Sequence, residues 1–231
     1  MSLRARVLDA LGEVIDPELD EPVTTLGFVS SCRVSAAGDV TVHLRLPTPQ
    51  CAPNFAFLMA SDARTAVGRV PGVGAVEVVL DDHFTGAEIN AAVARGAGFG
   101  DAFPGETRGD LAALRTLFRR KALVGRQARI CQALAADHDD ATICAMRIDE
   151  LAPTPEVQRC LQLRRELGLP HGGDAPALVA GDGSAIEPDQ LRMWLRKARL
   201  MTLSLESNGE ICRALLAVRY PDQPQEVEVP A

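Results

Sequence analysis

The sequence predicts a small sheet with helices packed on one of its faces, followed by a mainly helical second part. Three observations carry this. Val40, Val42, Leu44 and Leu46 alternate with Thr41, His43 and Arg45, so that strand buries a single face. Phe55, Leu58, Met59, Ala63, Ala66 and Val67 then recur at helical spacing over about Asn54 to Gly68, before a second alternating run, Ala75 to Leu80. Beyond Gly105 the apolar residues return mostly at helical intervals.

Leu3, Val7, Leu8, Leu11, Val14 and Ile15 give an opening helix over residues 3–14, which should stop by Asp16 because Pro17 disfavours α geometry in the residue before it. Asp16-Pro-Glu-Leu-Asp-Glu-Pro22 is then an acidic loop holding several carboxylates near one another. Phe28 to Val34 is the first strand, Ala36-Ala-Gly-Asp39 a hairpin turn and Val40 to Leu46 the second strand. After the third strand, Thr85 and Glu88 have capping-box spacing for a short helix to about Arg95. Gly96 to Gly105 is rich in glycine and reads as a linker. Residues 110–136 form a helix or a broken pair, further helical pieces cover about Asp140 to Arg147 and Glu156 to Leu167, and Pro188 opens another to about Arg199. Met201 to Leu205 alternates like a strand, and Cys212 to Val218 fits strand or helix.

Of the 231 residues 47% are hydrophobic, enough for a proper core. No apolar run approaches the roughly 20 residues of a membrane helix, and the first residues enter an amphipathic pattern, so a cytoplasmic protein without signal peptide is expected. The net charge of -7 sits unevenly: seven basic against fourteen acidic residues up to Glu106, and seventeen of each beyond. An acidic first half argues against coating a nucleic acid. The short basic stripe Trp194 to Arg199 follows Glu187 and Asp189 and reads as a mixed-charge helix face. There is no Walker loop, nucleophile elbow or dinucleotide fingerprint, so no nucleotide is expected.

Six widely spaced cysteines without a CxxC pair read as reduced, and four scattered histidines offer no evident zinc centre. Cys51 stands out in Leu44-Arg-Leu-Pro-Thr-Pro-Gln-Cys-Ala-Pro53, where a strand gives way to a helix through a turn stiffened by proline. Amides at a helix start favour a thiolate or a bound anion, and a soft thiolate suits iron, zinc or copper(I). A buried packing cysteine is the bland alternative. One cysteine cannot hold an iron-sulfur cluster, which needs about four ligands; a second copy of the chain, a client thiol or nearby carboxylates such as Asp16 and Glu18 would have to complete the set. Asp81, Asp82, His83 and Glu88 form a weaker metal candidate, as do Cys131, Cys144 and Cys160, while Cys32 and Cys212 read as structural.

Residues 5 to about 95 resemble the MIP18-like (formerly DUF59) family of iron-sulfur cluster assembly factors, which includes PaaD-related proteins. The resemblance is carried by Val14-Ile-Asp-Pro-Glu18, Pro22-Val-Thr-Thr-Leu-Gly-Phe-Val29, Leu46-Pro-Thr-Pro-Gln-Cys-Ala-Pro53 and Val70-Pro-Gly-Val-Gly-Ala-Val-Glu-Val78. It implies an α+β fold, with Cys51 at the position of the family's characteristic cysteine and Asp16, Glu18 and Thr48 as motif residues. Nothing matches the extra terminal cysteine motif of PaaD proteins.

The expected fold class is therefore α+β: a MIP18-like domain over residues 1–95 with a small three-stranded mixed sheet and helices on one face, a linker over 96–108, and a mainly helical extension over 109–231 for client binding or dimerisation. The expected function is that of a metallocofactor maturation accessory protein, an assembly or transfer factor rather than an enzyme. It would bind an iron-sulfur cluster or iron transiently at Cys51, with Asp16, Glu18 and Thr48 in support, and deliver it to a client metalloenzyme, with a cluster scaffold protein and a homodimer as further partners and neither nucleic acid nor membrane among them. The alternative is a non-catalytic scaffold or chaperone-like adaptor for a multicomponent oxygenase.

Overall fold

The structure, a computed structural model, describes residues 1–105 and 111–221. The chain divides into two compact units: Met1–Ala113 together with the stretch from Ser207 onward, and Leu114–Glu206.

In the first unit, α1 (Leu3–Gly12) starts at Ser2, whose hydroxyl accepts from the Ala5 amide at 3.2 Å and satisfies one of the free donors of the first turn. Val7, Leu8 and Leu11 line its buried face. Two short strands, β1 (Ile15–Asp16) and β2 (Glu21–Pro22), pair antiparallel, so the acidic stretch is an ordered hairpin. The main sheet has β3 (Val29–Val34), β4 (Val40–Arg45) and β5 (Val76–Asp81) in the order β3-β4-β5, antiparallel between the first two and parallel between the last two. The sheet is thus mixed and the fold α+β, as expected. Parallel pairing needs a long crossover, supplied by α2 (Pro53–Gly68). In register Val42 faces Val78 and Leu44 faces Leu80, and all four are buried; each such side chain contributes roughly 1.5–3 kcal/mol.

The other sheet face is less open than the alternation implies. Arg45 is only 4% exposed, its guanidinium 4.9 Å from the ring of Tyr220, a cation over an aromatic face. Next come α3 (Gly86–Arg95), ended by Gly96 in the left-handed region at φ 66°, where a side chain would be strained, and the short α4 (Phe99–Ala102). Phe99 and Phe103, inside the glycine-rich stretch, are buried against this core, and Phe57 meets Phe99 edge-on at 5.5 Å.

The second unit is mainly helical. A single helix, α5 (Ala112–Leu134), covers the stretch expected to be whole or broken. It is followed by α6 (Asp140–Ala145), a 3-10 turn (Ile148–Glu150) and α7 (Pro155–Glu166), which has proline in its first turn and Thr154 capping the Val157 amide. The last helix, α8 (Pro188–Arg219), runs far past Arg199: Met201 to Leu205 and Cys212 to Val218 are both helical. Its residues up to Glu206 belong to the second unit and those from Ser207 to the first. Among the described residues, no helix is long and apolar enough to cross a membrane.

Candidate functional site

The site begins with the β1-β2 hairpin. Asp16 points inward and accepts from the amides of Glu18 and Leu19, both at 2.8 Å, which folds the acidic loop back on itself. Asp20 takes the left-handed conformation at φ 53°, one that aspartate tolerates better than most residues. Burial pushes the Asp16 carboxyl up to about 6, overriding the two amides that favour its charged form, and the charges of Glu18 and Glu21 push the same way.

Cys51 follows from how β4 ends. Leu46 is still buried, but Pro47 and Pro49 cannot continue a hydrogen-bonded ladder, and the chain turns out of the sheet. The Cys51 amide donates to the Thr48 carbonyl at 3.3 Å, and the Thr48 hydroxyl lies 3.5 Å from the Cys51 sulfur. Of the first amides of α2, Pro53 has no N–H and that of Phe55 donates to the Ala52 carbonyl and to Asn54 Oδ1. Two amides of the first turn expected behind the sulfur are therefore missing or already engaged, and the Thr48 hydroxyl lies against the sulfur instead.

His83 holds this turn from outside. The Thr85 amide donates to its Nδ1 at 3.2 Å, which fixes the tautomer with the proton on Nε2, and Nε2 donates to the Cys51 carbonyl at 2.8 Å. The Phe84 amide adds a bond to the Pro49 carbonyl at 2.9 Å. The Thr85 hydroxyl sits 3.2 Å from His83 Nδ1 and makes no cap on α3, so the expected capping box does not form. His83 thus contacts Cys51 through backbone, as a positioning residue. His83→Ala should cost about 1 kcal/mol and raise amide exchange at Cys51 and Phe84; unchanged exchange there would show that the prolines hold the turn unaided.

The C-terminal part of α8 closes one side. Asn208 Nδ2 reaches Glu18 at 3.5 Å, Arg213 pairs with Glu21 at 2.9 Å, and Arg219 donates to the carbonyls of Leu46 at 2.9 Å and Asp82 at 2.6 Å. This brings Cys212 into a cavity of about 110 Å³ lined also by Asp16, Glu18 and Cys51. Burial pushes the Cys212 thiol up to about 11, with the neighbouring Asp16, Cys51 and Glu18 adding to the rise. Cys51, Thr48, Asp16 and Glu18 thus meet in one region. Cys212 and His83 join them, and nothing in the local pattern around either residue announces it.

The weaker candidates do not converge. His43 pairs with Asp81 at 3.1 Å, and the Tyr220 hydroxyl lies 3.3 Å from an Asp82 carboxylate oxygen. Cys160 belongs to one apolar cluster of the second unit, Cys131 and Cys144 to another. Among the described residues no group of three or more histidine, cysteine, aspartate or glutamate side chains is placed to hold a metal ion.

Against known proteins, the family model described as iron-sulfur cluster assembly protein matches residues 4–78, which contain Asp16, Glu18, Thr48 and Cys51 but neither His83 nor Cys212. Proteins named iron-sulfur cluster carrier protein are similar: the one from Mycobacterium leprae is 38% identical and one from Mycobacterium tuberculosis 43% identical, each over 79 residues that make up 34% of this chain and 20% of the carrier. The match thus spans about a fifth of those relatives. An uncharacterized protein of Methanocaldococcus jannaschii is 32% identical over 90 residues, 39% of this chain and 93% of that protein. No solved structure matches. A hairpin-held acidic motif, a cysteine turn between β4 and α2, the match over residues 4–78 and a relative covered almost end to end agree: the chain belongs to the MIP18-like family of iron-sulfur cluster assembly proteins.

Proposed function

We propose that the protein is an accessory factor of metallocofactor maturation that takes up an iron-sulfur unit or iron at Cys51 and hands it to a client metalloenzyme. The observation that carries this reading is the half-buried Cys51 sulfur, held in a proline-stiffened turn at the edge of a cavity it shares with the carboxylates of Asp16 and Glu18. A thiolate is the ligand that iron and its sulfides favour, and the carboxylates give the cavity a negative character that draws cations. A protein that supplies fewer than the about four ligands of a cluster keeps its cargo exchangeable, which suits delivery better than storage. Asp16 orients or ligates the cargo, Thr48 hydrogen-bonds the sulfur, and the helices beyond residue 109 recognise the client or a second copy.

A second reading, a non-catalytic adaptor that positions a client without touching its metal, draws on the exposed apolar side chains of α8, among them Met193, Leu200 and Val218. Thiol dependence separates the two. Anaerobic reconstitution with iron and sulfide, followed by timed transfer to candidate apo-clients, should show delivery by the wild type and none by Cys51→Ala, with unchanged far-ultraviolet dichroism. Full delivery by the alanine variant would leave the adaptor reading.

A further inference from the structure

We infer that Cys212 is the second sulfur of the transfer site, forming with Cys51 a two-thiolate clamp for one thiophilic divalent cation, iron(II) in the first place. This rests on the reading of Cys51 above and names its missing partner. The two thiols lie far apart in the chain yet line the same small cavity. The helix carrying Cys212 is tied to the loop carrying Cys51: Arg219, two turns further along α8, donates to the Leu46 carbonyl where that loop begins, and Asn208 and Arg213, on the turns around Cys212, reach Glu18 and Glu21 of the acidic hairpin. Cys212 is thus held at the cavity by hydrogen bonds on both sides of it.

A cavity of about 110 Å³ has room for one ion and the ligands that complete its shell. On binding, each thiol passes its proton to solvent, two water ligands leave the hydrated cation as two sulfur-metal bonds form, and the metal keeps its oxidation state, so no oxidant or reductant is needed. No third protein ligand is already in place among the described residues. A tetrahedral ion would keep two positions open, where ligands of an incoming client can enter before the clamp lets go.

Cobalt(II), added anaerobically to the full-length protein, tests this, because sulfur-to-cobalt charge transfer scales with the number of coordinating thiolates. Titrations are run in a Cys144→Ala background, since Cys131 and Cys144 share a cluster elsewhere. One cobalt per chain is expected; Cys212→Ser and Cys51→Ser should each halve the charge-transfer intensity per cobalt and weaken binding at least tenfold. An organic arsenical that bridges paired thiols gives a readout needing no variant: peptides containing Cys51 and Cys212 should appear linked in a mass map of the wild type. If Cys212→Ser binds cobalt like its parent, or no such linked peptide forms, the clamp is overturned while delivery through Cys51 is judged by the transfer assay. If the clamp binds cobalt but Cys51→Ala delivers in full, the clamp stands and the delivery reading falls.

Discussion

Gln127→Leu and Arg164→Met should each destabilise the second unit by about 3 kcal/mol, because each leaves several buried polar groups without a partner at about 1–3 kcal/mol apiece. Both residues have no solvent exposure. Among the described residues the Arg164 guanidinium pairs with no carboxylate; it donates to Gln127 Oε1 at 2.7 Å and to the carbonyls of Ala177 at 2.5 Å, Pro176 at 2.8 Å and Pro170 at 3.3 Å. Gln127 in turn accepts from the Val179 amide and donates to the Val179 carbonyl, both at 2.9 Å. Between them the two side chains satisfy an extended segment, Pro176 to Val179, that has only isolated bridges to other backbone. Leucine at 127 would take one acceptor from a buried cation and leave both polar groups of Val179 without their partner, whereas methionine at 164 would fill the space and take the donor from the carbonyls of Pro170, Pro176 and Ala177. The contrast is Glu156, which pairs with Arg126 and Arg129 at 2.6 Å near the surface; Glu156→Gln should cost about 1 kcal/mol or less, because water screens such pairs. Trp194, the sole tryptophan, packs beside one cluster of this unit, so urea unfolding followed by its fluorescence reads the difference directly. A shift below 1 kcal/mol for both buried variants would mean that the segment finds other partners.

The node just described shows where a sequence stops being readable. Gln127 and Arg164 look like ordinary members of polar helix faces, and their burial is decided by a segment that returns long after each helix is formed. Arg45 is a similar case: strand alternation places it on the outer face, correctly, but that face is covered at this point by Tyr220. The sheet itself was legible because Val40, Val42 and Leu44 alternate with polar residues and because a helix of one apolar stripe follows at once. The reverse holds for Met201 to Leu205, five residues of alternation inside a helix of 32; such a window is too short to separate the two periods, and the unbroken helical run on either side decides it. At the candidate site, Asp16, Glu18, Thr48 and Cys51 come from local motifs whose prolines and turn residues announce themselves. Cys212 sits in an unremarkable helical stretch and reaches the cavity only through tertiary contacts. His83 was visible as a polar side chain but not as the group that holds the Cys51 turn, because its partner there is a backbone carbonyl.

Asp16→Asn should make the first unit more stable at neutral pH, by about 2–3 kcal/mol, and the gain should vanish in acid. The free carboxyl titrates near 3.8 and the folded one at about 6. Between these values the folded state binds more protons than the unfolded one, so stability falls as pH rises from about 4 to about 6 and stays lowered above that. The difference between about 6 and 3.8, at about 1.36 kcal/mol for each tenfold change in proton affinity, gives the size of the effect. Asparagine keeps the Oδ1 that accepts from the amides of Glu18 and Leu19, so the hairpin geometry has no reason to change while the buried charge disappears. Urea denaturation of both forms at pH 7 and pH 4, followed by far-ultraviolet dichroism, checks the sign as well as the size. A variant that is less stable at pH 7, or equally displaced at both values, would show that the amides and not burial govern this carboxyl. A charge that destabilises the fold at the pH where it is present is best accounted for by what it does when the cavity beside Cys51 is filled: a bound cation would offset the cost, and the same Asn variant should hold cobalt(II) more weakly than the wild type while unfolding at higher urea. Gain of stability paired with loss of metal affinity is the signature expected of a residue kept for binding.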